Sequence, residues 1–254
     1  EGASWIGYSF FFYFLIKNKI KNLKLIYHSH NIEYLLRKQK NGTLIAILTK
    51  YFEKYIAKNF DIFTCVSKED QIKVKKLYKI KSKLLPNGVD IPKKIKKNKK
   101  KFNFKYIFFC GSVEYAPNKE ALKILINKIL PLVNKKNKKI KLVITGSKSI
   151  PFQNNNLINL GFVPKNKFYE VLNNASIFVN PMKTAFGSQV KMITALMLGK
   201  TIIASQKATI GINFNNKSKE VFIANNNNKF ADLILEKIDL KKNKNNLSKI
   251  YKKK

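Results

Sequence analysis

The chain has 254 residues, 45% of them apolar, which is enough for one large domain or two modest ones with buried cores. Its formal net charge of +37 points first to nucleic acid or an anionic membrane, but Arg37 is the single arginine among 51 basic residues. Arginine is the group suited to bidentate phosphate and base contacts, so the composition argues against a specific nucleic-acid partner and for lysine as the default surface residue, with weak attraction to an anionic membrane surface still open. Two cysteines, Cys65 and Cys110, lie in apolar strand-like runs without pairing or metal spacing, and two histidines, His28 and His30, are too few for a histidine-rich metal site. No metal and no cofactor is expected, and the thiols are expected to be buried and reduced, as in a cytoplasmic protein. The start carries no basic n-region of a signal peptide, and a chain opening at Glu1 reads as a fragment of something longer.

In chain order, the run Trp5–Ile16 is apolar and aromatic but too short to span a bilayer. It reads as a core helix or, with Lys17, Lys19, Lys21 and Lys24 beside it, as an interfacial one. Strands are expected over Leu23–Ser29, Asp61–Val66 and Lys83–Leu85. Helices are expected over Thr43–Lys58 and Ser67–Tyr78, the second opened by Ser67 with Asp70 three residues on. Pro86-Asn87-Gly88 is a turn signal. Residues 91–101 are almost devoid of apolar side chains and read as a linker. The alternation then restarts with strands Tyr106–Cys110, Ile140–Thr145, Leu157–Leu160, Ser176–Val179, Thr201–Ser205 and Glu220–Ala224. Helices are expected over Asn118–Ile129, stopped near Pro131, and over Lys165–Asn173, Val190–Leu198 and Lys229–Lys237. The lysine-rich tail, residues 241–254, reads as disordered.

Continuous β-branched and aromatic runs separated by helices imply parallel strands buried on both faces, hence an α/β fold. Residues 102–240 hold a complete doubly wound unit. Residues 1–90 supply about three strands, half a Rossmann-like domain.

The stretch from Thr184 to Gly211 bears most directly on function. A small-residue loop feeds the helix Val190–Leu198, whose first turn exposes unpaired N–H groups and the positive end of the helix dipole. Lys191 adds a full charge there, so the segment suits a phosphorylated ligand. Against this stands the plain alternative of a solvent-facing lysine, common in this composition.

Four segments together carry a resemblance: His28-Ser29-His30-Asn31-Ile32-Glu33, Leu85-Pro86-Asn87-Gly88-Val89-Asp90, Phe109 to Asn118 with its glycine and Pro117-Asn118, and Gly187 to Gly211. They fall in the expected order and register, and the chain resembles a family-4 glycosyltransferase of the GT-B fold, with two Rossmann-type doubly wound domains, the first incomplete. The resemblance implies a nucleotide-sugar donor bound by the C-terminal domain and a glycan or lipid-linked acceptor bound by the N-terminal one. It implies transfer with retention and without a bound metal, the nucleotide-sugar being a substrate rather than a cofactor, in surface polysaccharide or glycolipid synthesis. Lys191 and His30 become the catalytic candidates. Gly111, Ser112, Gly187, Ser188, Lys191 and Thr194 become donor-side residues, and His30, Asn31 and Glu33 acceptor-side ones. The chain departs from the pattern where many relatives carry glutamates, at Phe186 and Thr194. A truncated or degenerate non-catalytic homologue, and a basic module for membrane or nucleic acid, are the competing readings.

Overall fold

The structure, a computed structural model, describes residues 6–17, 19–20, 22–40, 43–90, 102–184, 189–212 and 220–239. Trp5, Lys21, Phe186, Gly187, Ser188, the linker 91–101 and the tail 241–254 lie outside the described residues. Two compact units divide between Asn87 and Gly88, inside the Pro-Asn-Gly turn.

The first unit comprises α1 (Ile6–Lys17), β1 (Ile26–Ser29), α2 (Glu33–Lys40), α3 (Thr43–Asn59), β2 (Ile62–Cys65), α4 (Lys68–Tyr78) and β3 (Lys83–Leu84). Its three strands run parallel in the order β1-β2-β3, with Tyr27 opposite Phe63 and Ser29 opposite Cys65. Tyr27, Ile56, Phe63, Val74 and Tyr78 form the core beneath them. Ser67 caps α4 as its position predicts: its hydroxyl accepts from the Asp70 N–H at 3.0 Å and donates to the Asp70 carboxylate at 2.8 Å.

Helix α2 has no counterpart in the periodicity of the sequence, because it is short and mostly polar. What fixes its start lies twenty residues away. Glu53, fully buried on α3, accepts from the Glu33 N–H at 3.0 Å, the Tyr34 N–H at 3.1 Å and the Tyr78 hydroxyl at 2.5 Å. Two orphan donors of the helix terminus are thus satisfied by a carboxylate from a neighbouring helix. Burial pushes the Glu53 carboxyl up to about 7, with the Glu33 charge adding to it, although the three donated hydrogen bonds pull the other way.

The second unit comprises β4 (Tyr106–Cys110), α5 (Ala116–Ile124), α6 (Leu130–Lys136), β5 (Lys141–Thr145), β6 (Leu157–Asn159), α7 (Lys165–Asn174), β7 (Ile177–Asn180), α8 (Val190–Met197), β8 (Thr201–Ala204), β9 (Val221–Ile223) and α9 (Asn227–Lys237). Its six strands are all parallel in the order β6-β5-β4-β7-β8-β9. This is the doubly wound order, with the reversal of winding between β4 and β7. Every residue of β4 and of β7 is buried, which is why these strands read as unbroken apolar runs.

One element corrects its expectation. The helix does not stop near Pro131. A single π turn, Leu125–Ile129, joins α5 to α6, which continues to Lys136. Leu130 N–H reaches back five residues to the Leu125 carbonyl. Pro131 then sits at the first positions of α6, where its missing donor costs little, and the widened turn makes room for its ring.

Three glycines mark the carboxyl ends of β4, β5 and β6. Gly111 N–H donates to Thr145 O at 3.0 Å, and Gly146 N–H to Gly161 O at 2.9 Å. Gly111 adopts φ 147°, and a Cβ there would lie 2.5 Å from the Asn118 side chain; Gly146 adopts φ 109°, and its Cβ would lie 2.9 Å from the Gly111 backbone. The close approach draws the three strand exits together at the edge where a doubly wound sheet takes its ligand.

Two outcomes follow. Glu53 binds its proton more tightly folded, near 7, than unfolded, so its stabilisation is complete below the unfolded value and is lost as pH rises through about 7. Denaturant melts between pH 5 and pH 8 therefore show wild type losing stability relative to Glu53→Gln, which carries no titrating proton. Gly111→Ala combines a left-handed backbone with a clash against Asn118, and is expected to lower unfolding free energy by about 2–4 kcal/mol in the same assay.

Candidate anion site at the switch point of the second sheet

In a doubly wound sheet, loops leaving adjacent parallel strands part where the winding reverses, which in this sheet is between β4 and β7. Gly111 and Ser112 leave β4 there. The Ser112 carbonyl accepts from the Tyr115 N–H and from Asn118 Nδ2 at 3.0 Å, and the Ser112 hydroxyl accepts from the Glu114 N–H at 3.2 Å. Across the loop, Val113 N–H donates to Ser147 Oγ at 2.8 Å, tying the β4 exit to the β5 exit.

Lys191, in the first turn of α8, reaches this loop. Its Nζ donates to the Cys110 carbonyl at 3.2 Å and to Asn118 Oδ1 at 2.8 Å, and lies 4.7 Å from the centre of the Phe109 ring. These are a carbonyl, an amide oxygen and an aromatic face, all of which attract a cation without neutralising it. The ammonium is therefore desolvated without an anionic partner among these contacts, and burial pulls its pKa down to about 8. Burial pushes the neighbouring Cys110 thiol up to about 11 against the opposing pull of the Lys191 charge, so the sulfur is a neutral wall of the site. Both cysteines are free and buried.

Asn118 is the residue that sequence reasoning passes over, since it stands out there only as half of a Pro-Asn pair. In the structure it is buried, and its amide uses both ends, Nδ2 on Ser112 O and Oδ1 on Lys191 Nζ. The signal is present, because an asparagine just after a strand-to-helix loop containing glycine is a natural bracket. Asn180, at the carboxyl end of β7, reads in sequence only as the end of a strand. It is fully buried, and neither polar atom of its side chain has a partner among the described residues. A buried amide left in that condition at a switch point marks a place for a polar guest. Ser205, leaving β8, ties the next exit in: its N–H donates to Asn180 O at 3.1 Å and its hydroxyl to Met182 O.

Thr194 lies on the same helix one turn beyond Lys191. It is buried, and its hydroxyl donates to the Val190 carbonyl at 2.9 Å. Gly187 and Ser188 fall outside the described residues.

The residues expected on the acceptor side, His30, Asn31 and Glu33, lie at the carboxyl end of β1 in the first unit. His30 follows the strand, half-buried, with its ring 4.5 Å centre to centre from that of His28. His28 Nδ1 lies 2.6 Å from Thr64 Oγ1. The Asn31 carbonyl accepts from Ser29 Oγ at 2.6 Å. Glu33 opens α2, buried, with its carboxylate 3.8 Å from Arg37 Nε. The structure thus gathers Gly111, Ser112, Asn118 and Lys191 in one unit and His30, Asn31 and Glu33 in the other.

A family model described as glycosyl transferases group 1 matches residues 104–239, more than half of the chain. An uncharacterized 44.6 kDa protein in the cps region of Klebsiella pneumoniae is 26% identical over 197 residues, covering 73% of this chain and 49% of that protein. Among solved structures, a TarM variant of S. aureus in complex with UDP and alpha-GlcNAc-glycerol superposes with TM-score 0.65 at 16% identity, covering 92% of this chain and 47% of that one. HepE of Anabaena, in complex with UDP and glucose, gives 0.65 at 13%, covering 92% and 66%. Sucrose-phosphate synthase of Thermosynechococcus elongatus gives 0.67 at 12%, covering 90% and 61%. The chain spans about half the length of the curated relative it matches. These likenesses establish the GT-B architecture, an α/β fold of two units whose described residues form a three-stranded and a six-stranded parallel sheet. By the family match the chain belongs to the glycosyl transferases group 1 family.

Proposed function

We propose that the protein, as a whole, transfers a sugar from a nucleotide-sugar held by the second unit to a glycan or lipid-linked acceptor held by the first. The transfer proceeds with retention and without a divalent cation, on the cytoplasmic side, in surface polysaccharide or glycolipid synthesis. One observation carries this reading: a lysine ammonium without an anionic contact among the described residues, in the opening turn of a helix, beside the carboxyl end of a central strand where winding reverses. As the glycosidic bond breaks, negative charge grows on the departing diphosphate. A desolvated ammonium and the N–H groups of α8 interact more strongly with that charge than with the intact donor, and this difference lowers the barrier. The relatives' complexes with UDP support the nucleotide, and the cps-region relative supports the polysaccharide setting. His30, Asn31 and Glu33 then belong to the acceptor side, and Gly111, Ser112, Gly187 and Ser188 to the donor side.

A second reading, a homologue that folds but does not catalyse, is favoured by Thr194. A threonine bonded to its own helix replaces the glutamate of many relatives, so any contact to a ribose hydroxyl lacks charge.

Calorimetry with UDP on the full-length protein separates the two, together with sugar transfer from UDP-sugars. Lys191→Met is expected to weaken nucleotide binding by about 10–100-fold, the worth of a charge-assisted contact. The same substitution removes a desolvation penalty but also deprives the buried Asn118 Oδ1 and the Cys110 carbonyl of a donor, so the thermal midpoint at pH 7 is expected to change little. Wild-type affinity falls as pH rises through about 8, where the free ammonium loses its proton, and the variant lacks that step. Binding without transfer, or no binding of any nucleoside diphosphate, indicates the non-catalytic homologue and overturns the transferase reading.

A further inference from the structure

Strand β7 lies beside β4 at the switch point, and Asn180 is its last residue. The Asn180 backbone is engaged, since its carbonyl accepts from the Ser205 N–H at 3.1 Å. Its side chain is not. The residue is fully buried, and neither Nδ2 nor Oδ1 has a partner among the described residues. No other buried side chain of the second unit is left in that state among the described residues. Successive side chains of a strand alternate between faces, so Asn180 shares a face with Phe178. Phe178 pairs with Phe108 of β4, and Cys110 follows Phe108 by the same two residues, while Ala204 of β8 stands opposite Asn180 itself. Ala204 offers the amide a methyl, and the Cys110 thiol, kept neutral by burial, offers a weak sulfur contact at most. Cys110 is also the residue whose carbonyl holds the Lys191 ammonium. The amide and the ammonium thus share a neighbour.

We propose, on the footing of the transferase reading, that the Asn180 amide binds a hydroxyl of the sugar carried by the donor and so selects which sugar is transferred. The two groups call for different chemistry. An ammonium attracts an anion, which a diphosphate supplies. An amide with Nδ2 and Oδ1 both open takes a group that accepts and donates at once. The oxygens of an ionised diphosphate only accept, so they leave Oδ1 without a donor. A sugar hydroxyl does both, and in a glycosyl diphosphate the hydroxyls stand next to the phosphate that the ammonium attracts. Two hydroxyl side chains of the same region are already committed, Thr194 to the Val190 carbonyl and Ser205 to the Met182 carbonyl. Asn180 has lost water on both polar atoms without a bond in return, a cost in the free protein that a bound hydroxyl removes. A site of this kind discriminates sharply, because an analogue lacking the hydroxyl leaves the amide as it was.

The test is calorimetry on the full-length protein with UDP and with a set of UDP-hexoses and UDP-N-acetylhexosamines. Wild type is compared with Asn180→Leu, which keeps the branched shape and removes both polar atoms. The variant is expected to bind UDP within about twofold of wild type and the preferred UDP-sugar about tenfold or more weakly. Among the monodeoxy forms of that sugar, one is expected to bind wild type and variant alike, which identifies the hydroxyl. The free variant is expected to melt at an equal or higher temperature, since no partner of Asn180 is deprived. Should leucine prevent folding, Asn180→Ala takes its place, with the same pattern of affinities expected. Three results overturn the proposal while UDP still binds wild type. They are UDP-sugar affinities that the variants leave unchanged, which means that the amide holds water only; an equal loss for UDP and UDP-sugars, which puts the effect on the nucleotide; and a wild type that binds UDP but no UDP-sugar. Wild type that binds no nucleoside diphosphate overturns the transferase reading and the proposal together, so the two failures are distinguishable.

Discussion

A cation that meets dipoles but no anion among the described residues is the constraint around which the second unit is organised. Holding the Lys191 ammonium against the Cys110 carbonyl, Asn118 and the Phe109 ring costs hydration, and the lowered pKa registers that cost. Such a charge interacts strongly with any anion that reaches it, because little water screens the pair. Everything near it serves to hold that geometry. Asn118 occupies the space that a side chain at position 111 would need, so glycine is required there, and the same amide holds the Ser112 carbonyl. The Gly146 backbone crosses directly over Gly111. Sheet, loop and helix are tied to one another by a few short polar contacts.

The first unit uses a buried carboxylate for a comparable task. Glu53 takes the place of a local cap at the start of α2 and also receives the Tyr78 hydroxyl from α4. The segment His30 to Glu33 is therefore held by a group sensitive to pH and buried in the core. The opposite face of the same helix is apolar toward solvent, so α3 carries structural load on one side and an apolar surface on the other.

Much of this is legible in the residues. Runs such as Tyr106 to Cys110 and Ile177 to Val179 announce buried parallel strands because both faces are apolar, and Ser67 with Asp70 announces a helix start through local hydrogen bonding. The small-residue loop before Val190 is enough to place Lys191 at a helix opening. What escapes are features set by contacts distant in sequence. The start of α2 depends on Glu53, and the role of Asn118 depends on a lysine more than seventy positions away. Pro131 suggests a stop, yet a π turn absorbs it, an outcome that tertiary packing of Leu125, Ile126 and Ile129 in the core supports and that local propensity opposes. The burial of Asn180 is likewise beyond the sequence, since an asparagine ending a strand is ordinarily a turn residue.

The direct test of the central claim is the titration of Lys191 itself. Competitive acetylation of the full-length protein from pH 6 to 11, read by peptide mapping, gives that amine's own protonation curve against the bulk of exposed lysines. The account predicts a midpoint near 8, well below the others, rising on addition of UDP, with Lys191 protected from modification. A midpoint indistinguishable from the surface lysines, unaffected by any nucleoside diphosphate, would contradict it.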